Sequence, residues 1–330
     1  MALILTRDDI QRCLTMAETI EAMRTAFTAL YHNTAHVPQR LAVTLPEQGV
    51  ALYMPSLLET PEQSFSGLKV VTVVPANRAR NLPLIHSSVL LIDAMTGQTL
   101  AILEGSWLTA MRTGAACGLA TDLLARRDAD ILTLFGAGGQ APTQALAMQT
   151  VRPLREIRVV NRDPAHYQHL VTTLRQLLGD QCPPIRHITS AHEALDGASI
   201  VCCTTTSTSP LWTWPDIAPG THINAIGAFT PHMCEIDPET LAHARIVVDQ
   251  KEAAFTEAGD LLQALEKGLI PGPAAWTELG ELATRNQSAR QHDDEITIFK
   301  SVGIGIQDVA AAWTVYRKAR EQGIGINIEV

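Results

Sequence analysis

The chain has 330 residues, of which 46% are hydrophobic and 18% charged, with a formal net charge of −9; that length sustains two domains with their own cores, and the composition excludes a disordered chain. The acidic balance argues against nucleic acid or an anionic membrane as the main partner, because neither attracts a negative surface. The start, Met1-Ala-Leu-Ile-Leu-Thr-Arg7, has no basic leader, and no later stretch is long and apolar enough to span a bilayer, so a cytoplasmic protein is expected.

In chain order, helices are expected first. Thr15 to Glu18 reads as a capping box, and Ile20, Met23, Phe27 and Leu30 recur on one helical face. From Arg40 to about Leu103 the texture changes to strands, at 40–45, 49–53, 68–74 and 88–92, with Asp93 to Gly97 as a hairpin connection. A helix follows over 106–125. Then the apolar run 131–135 enters Gly136-Ala-Gly138-Gly139-Gln140-Ala141, a strand, a glycine-rich turn and a helix start. This is a dinucleotide fingerprint: Gly136 makes the turn, Gly138 admits a pyrophosphate, and small Ala141 lets helix and strand pack closely.

The next strand, 157–160, ends in Asn161-Arg162-Asp163, close to where the fingerprint expects a ribose-binding side chain. An amide and a guanidinium there suit the 2′-phosphate of NADP, which is the preferred cofactor, with NAD possible; the alternative is that Asp163 takes the ribose. Strand 198–203 delivers Thr204, Thr205 and Thr206 to the carboxyl edge of the sheet, where ligands bind. Strand and helix alternate to about Ile298, and 303–323 is helical again. Cys13, Cys117, Cys182, Cys202, Cys203 and Cys234 have neither metal-ligand spacing nor a disulfide pattern. His32 with His36, and the run His292 to Glu295, read as surface features, so no metal is expected.

Outside the nucleotide domain, two cations stand where plain packing does not ask for them: Lys69 in an apolar strand and Arg112 on the helix leading into the fingerprint. Together with Ala110-Met-Arg112-Thr-Gly-Ala-Ala116, Leu134-Phe-Gly-Ala-Gly-Gly-Gln140, Ile223-Asn-Ala-Ile-Gly227 and Phe299-Lys-Ser-Val-Gly-Ile-Gly-Ile-Gln-Asp308, Lys69 completes a motif set that resembles the ornithine cyclodeaminase and μ-crystallin family over nearly the whole chain. The resemblance implies an α/β fold in which a doubly wound Rossmann domain (117–303) is inserted into an α+β substrate-binding and dimerisation domain (1–116 with 304–330). It also implies a homodimer acting on small amino or imino acids with a nicotinamide cofactor. Family members cyclise ornithine to proline, reduce cyclic ketimines or reversibly aminate keto acids.

By the same resemblance, Arg40, Lys69 and Arg112 are substrate-binding cations and Met54 and Phe229 line the substrate; Lys69, the candidate catalytic residue, either contacts the substrate carboxylate or nitrogen or assists proton delivery. Arg112, Thr113, Gly136, Gly138, Gly139, Gln140, Asn161, Arg162, Thr204, Thr205, Thr206, Ala225, Gly227, Val302 and Gly303 are placed at the cofactor. The cations make chemical sense independently, because guanidinium groups bind carboxylates bidentately and a desolvated lysine is a usable acid and base. There is one departure from the cyclodeaminase pattern. Leu52-Tyr53 precedes Met54-Pro55, and Gly227-Ala-Phe229 follows the strand, at places where cyclodeaminases carry acids for the second amine of ornithine. An apolar wall there favours reduction of a cyclic or small α-imino acid, such as Δ1-pyrroline-2-carboxylate or Δ1-piperideine-2-carboxylate. Alanine dehydrogenase-like reductive amination, ornithine cyclodeamination and a non-catalytic cofactor-binding role are the alternatives.

Overall fold

The computed structural model describes residues 1–61, 63–285 and 288–329. It divides into two compact units, Met1–Arg112 with Ile304–Val330, and Thr113–Gly303. The first crossing falls inside the continuous helix Gly105–Leu124, whose start is capped by Glu104: its two carboxylate oxygens accept the Ser106 N–H at 2.7 Å and the Trp107 N–H at 2.9 Å. An unbroken helix carries no punctuation, so the sequence suggested a break after Ala116 instead.

The first unit is built on a mixed sheet. Its strands run Ile326–Ile328, Ala2–Leu5, Thr99–Glu104, Ile85–Asp93, Ser64–Val73, Gly49–Glu59 and Ala35–His36 across the sheet, with Leu41–Leu45 also paired to Gly49–Glu59. The chain therefore opens on a strand and not on a helix as expected. Four apolar residues are too few to display a period, and Ala2–Leu5 is held by its neighbours, parallel to Thr99–Glu104 and antiparallel to Ile326–Ile328. The capping box of the helix Met16–Tyr31 forms as read, with Thr15 and Glu18 exchanging both hydrogen bonds.

The last helix, Gly305–Gln322, lies along the central strand Ser64–Val73 of this unit. Alternation puts Phe65, Gly67 and Lys69 on one face of that strand. Phe65 stacks on Trp313 with ring centroids 4.7 Å apart, and a Cβ on Gly67 would stand 2.7 Å from the Val309 side chain, so only glycine lets the helix come this close. Lys69, next along the same face, meets the first turn of the helix.

The second unit is a parallel sheet. Across it lie Ile185–His187, Glu156–Val160, Ile131–Phe135, Ile200–Cys203, His222–Ala225, Ile296–Lys300, Ala244–Val248 and Thr277–Glu278. The chain starts in the middle, moves out one way, then returns to build the other half, which is the doubly wound order. The switch point lies between Ile131–Phe135 and Ile200–Cys203. Strands covered on both faces become continuous apolar runs, and Ile131–Phe135 is buried at every residue.

One polar side chain in this core has a pH consequence. His222 is fully buried, its Nδ1 lies 2.8 Å from Thr297 Oγ1, and burial, aided by the Arg290 charge, lowers its pKa from 6.5 to about 3. The unfolded chain takes up this proton first, so the stability associated with neutral His222 is intact above pH 6.5 and is lost as pH falls from there towards about 3. Urea unfolding across that window should show a decline worth a few kcal/mol, and His222→Asn should flatten it.

Candidate active site

In the first unit the chemistry gathers around one carboxylate. Asp308, in the first turn of the last helix, is completely buried; its Oδ2 lies 2.7 Å from Lys69 Nζ, and its Oδ1 accepts the Arg112 Nε–H at 3.1 Å. Arg112 Nη1 donates to Gln307 Oε1 at 2.6 Å, and the same oxygen accepts the Ile304 N–H at 3.0 Å. Both cations are also buried, Lys69 at 2% and Arg112 at 5% exposure. Lys69 is thus neither an edge residue nor a snorkelling one; it faces the covered side of a central strand.

Burial, then the neighbouring Arg112 charge, lowers the Lys69 pKa from 10.5 to about 8, against the opposing pull of Asp308; Arg40 adds a smaller push in the same direction. Arg40 is therefore an electrostatic neighbour of Lys69. Met54 is the cross-strand partner of Lys69 on the same face and is 4% exposed. Arg40, Met54, Lys69 and Arg112 thus share one region of the first unit with Asp308 and Gln307.

In the second unit the glycine-rich turn has the geometry of a phosphate cradle. Gly136 has φ +96°, and a Cβ there would sit 2.8 Å from Thr204 Oγ1. Thr204 latches this turn, its N–H and its hydroxyl both donating to the Phe135 carbonyl, at 2.9 and 3.0 Å. Gly138 and Gly139 face open space, Ala141 is buried where the helix Ala141–Val151 begins, and Gln140 stands at its N-cap. Among the described residues, no backbone acceptor receives the amides of residues 137–140.

Beyond Glu156–Val160, Asn161 Nδ2 donates to the Asp163 carbonyl at 2.7 Å and Arg162 is exposed. Asp163 caps the helix Pro164–Leu178, its Oδ1 accepting the Ala165 N–H at 2.8 Å. On the other side of the switch point, Thr205 is hydrogen-bonded to Glu235, Thr206 is exposed, Ala225 is buried at the strand end, and Phe229 packs against the core of this unit. Asp249 Oδ2 accepts the Ser301 hydroxyl and the Val302 and Gly303 amides at 2.8 to 2.9 Å. The last two residues therefore give their N–H groups to the protein. Thr113 is buried at the first position of the unit.

Sequence reasoning missed Gln307, Asp308, Glu235, Asp249, Asp260 and Lys300. Two of them left a signal: Lys300 and Asp308 are the charged residues of the glycine-rich run that starts at Phe299. The described residues contain no cluster of side chains suited to a metal ion and no helix long and apolar enough to cross a membrane.

The family model for the ornithine cyclodeaminase/mu-crystallin family matches residues 1–323. A Δ1-pyrroline-2-carboxylate reductase of Bacillus cereus is 36% identical over 329 residues, covering 99% of each chain. The solved structure of the Thermococcus litoralis Δ1-pyrroline-2-carboxylate reductase in complex with NADH and L-proline superposes with a TM-score of 0.92 at 38% identity, over 99% of this chain and 100% of that one. An archaeal alanine dehydrogenase dimer with bound NAD superposes with a TM-score of 0.89 at 32% identity, over 99% of both chains.

Lys69 should titrate directly at about 8, read from the side-chain carbon shifts of 13C-labelled lysine. Asp308→Asn removes the anion that holds the proton on Lys69, so the titration should move to lower pH. The same change leaves two buried cations uncompensated, a loss of about 3–5 kcal/mol of stability in urea unfolding.

Proposed function

The chain belongs to the ornithine cyclodeaminase/mu-crystallin family, and on that premise we propose that it is a nicotinamide-dependent reductase of cyclic or small α-imino acids, giving L-amino acids. Δ1-Pyrroline-2-carboxylate and Δ1-piperideine-2-carboxylate are the leading substrates. The observation that carries this reading is the buried Lys69–Asp308–Arg112 cluster: two cations held by one acid, with a third cation, Arg40, nearby.

An α-imino acid presents a carboxylate beside a C=N bond. Arg112, oriented by Asp308 and Gln307, and Arg40 supply the positive charge that the carboxylate needs. The glycine-rich turn from Gly136 to Gln140 would hold a reduced nicotinamide nucleotide, and the chemistry it would supply is hydride donation. Lys69 delivers the proton that the imine nitrogen takes up, and with a pKa of about 8 it carries that proton at neutral pH yet gives it up readily. Asp308 steadies the ammonium beforehand and recovers its partner when the lysine is reprotonated from solvent.

The same geometry disfavours ornithine. Asp308 is already committed to two cations, and Leu52 and Tyr53 offer no charge where a second ammonium would need one. A cyclic imine has lost that amine, and each methylene buried against an apolar wall contributes about 0.8 kcal/mol. The Bacillus and Thermococcus relatives, both Δ1-pyrroline-2-carboxylate reductases, support the choice. The reading includes a homodimer, supported by the archaeal dimer and by the exposed apolar side chains of Leu41 and Val43 on one strand. It also includes a preference for NADPH, because Arg162 is exposed where a 2′-phosphate is read and Asp163 is occupied as a helix cap.

With NADPH, the purified protein should reduce Δ1-pyrroline-2-carboxylate efficiently and release little ammonia from ornithine; the reverse result overturns the assignment. Lys69→Ala should lower kcat by about 10² to 10⁴ while NADPH binding persists. Arg162→Ala should reduce the ratio of kcat/KM for NADPH over NADH by about tenfold or more, and an unchanged ratio would place the discrimination elsewhere.

A further inference from the structure

Glu235 follows the strand His222–Ala225 by a loop, and its side chain folds back beneath that loop, fully buried. Its Oε1 accepts the Thr205 N–H at 2.6 Å and the Thr205 hydroxyl at 2.8 Å; its Oε2 accepts the Gly227 N–H at 2.8 Å and the Ala228 N–H at 3.0 Å. Four donors saturate the two oxygens, which is the pattern an ionised carboxylate takes. Thr205 lies just past Ile200–Cys203 and Gly227 just past His222–Ala225, two neighbouring strands on one side of the switch point. One side chain ties both loops together.

The tie is itself braced. Asp260 Oδ1 accepts the N–H groups of Glu235 and Ile236, at 2.6 and 3.0 Å, while its Oδ2 pairs with Lys300 Nζ at 2.6 Å, and Lys300 donates to the Ala228 carbonyl at 2.5 Å. Gly227 has no room for a side chain: a Cβ there would stand 2.2 Å from the Thr205 carbonyl oxygen and 2.4 Å from Glu235 Oε1. Such a framework rigidifies a site because every member is satisfied.

A dinucleotide lies across the carboxyl edge of a doubly wound sheet, with its pyrophosphate at the glycine-rich turn and its two nucleoside halves on opposite sides of the switch point. Asn161 and Arg162 are on the adenosine side, which leaves the Thr205 and Gly227 loops for the nicotinamide side. We propose that Glu235 is the positioning residue of the nicotinamide half of the cofactor site, fixing the two loops on that side without touching the adenosine half. This rests on the cofactor reading given above.

Calorimetric titration of the full-length protein with NADPH and with adenosine 2′,5′-bisphosphate, which carries the adenosine half and no nicotinamide riboside, separates the two halves. In Glu235→Gln one side-chain oxygen becomes an NH2 group facing backbone donors. NADPH should bind about tenfold to a hundredfold more weakly, while the fragment binds as in the wild type. Glu235→Asp keeps the charge but shortens the side chain by one methylene, so that it no longer reaches both loops, and should give the same pattern; it carries the test if Glu235→Gln fails to fold. Unchanged NADPH affinity in a folded variant, or parallel losses for NADPH and fragment, overturns the assignment, the second by reducing Glu235 to general packing. Wild-type protein that binds neither NADPH nor NADH overturns the cofactor reading and this inference with it.

Discussion

The first unit depends on Asp308. Burying an ammonium and a guanidinium side by side costs several kcal/mol for each ion and adds their mutual repulsion, and nothing in an apolar sheet face offsets that. One carboxylate does, by sitting between Lys69 and Arg112 at the amino end of a helix, where the helix dipole also favours negative charge. The close approach of that helix to Gly67 and the stacking of Trp313 on Phe65 set its height over the strand, so apolar packing determines the ion-pair geometry. The result is a lysine whose proton is held loosely enough to be useful at neutral pH.

The second unit solves a related problem with opposite sign. Loops at the carboxyl edge of a parallel sheet expose backbone N–H groups, which need acceptors when covered. Here buried carboxylates provide them: Glu235 for the loops after Ile200–Cys203 and His222–Ala225, and Asp249 for the segment after Ile296–Lys300. The glycine-rich turn is the exception, since its amides meet no such protein acid among the described residues. An anion is welcome at that turn, and the neighbouring loops are already anionic. Charge complementarity therefore concentrates at one place along the edge.

Much of this was legible in the sequence because it is local. The strand, glycine turn and helix from Ile131 onward, the capping box at Thr15 and the hairpin after Asp93 all arise from residues a few positions apart. Lys69 and Arg112 were recognisable as misplaced cations. Their partner Asp308 stood out only as a charge in a glycine-rich run; that it pairs with them was not legible, because an ion pair between residues 196 positions apart leaves no periodic trace. The acids behind the loops at the carboxyl edge escaped for a similar reason: in sequence Glu235 is one more polar residue in a loop, and only the fold shows that its four donors come from two strand ends. The strand Ala2–Leu5 was too short to announce itself, and its partners lie at Thr99–Glu104 and Ile326–Ile328.

The split of the first unit across both ends of the chain constrains the order in which the protein matures. The second unit has all its residues once Gly303 has been synthesised, and its contacts close within one continuous segment. The first unit must wait for the final helix and for Ile326–Ile328, which pairs with the first strand of the chain. Until then Lys69 and Arg112 have no counter-charge and the sheet face bearing Phe65 and Gly67 has no cover. Nascent chains emerge amino end first, and contacts of such long sequence separation form slowly. A chain synthesised only as far as Gly303 thus has every residue of the second unit, while the sheet of the first is still open and cationic.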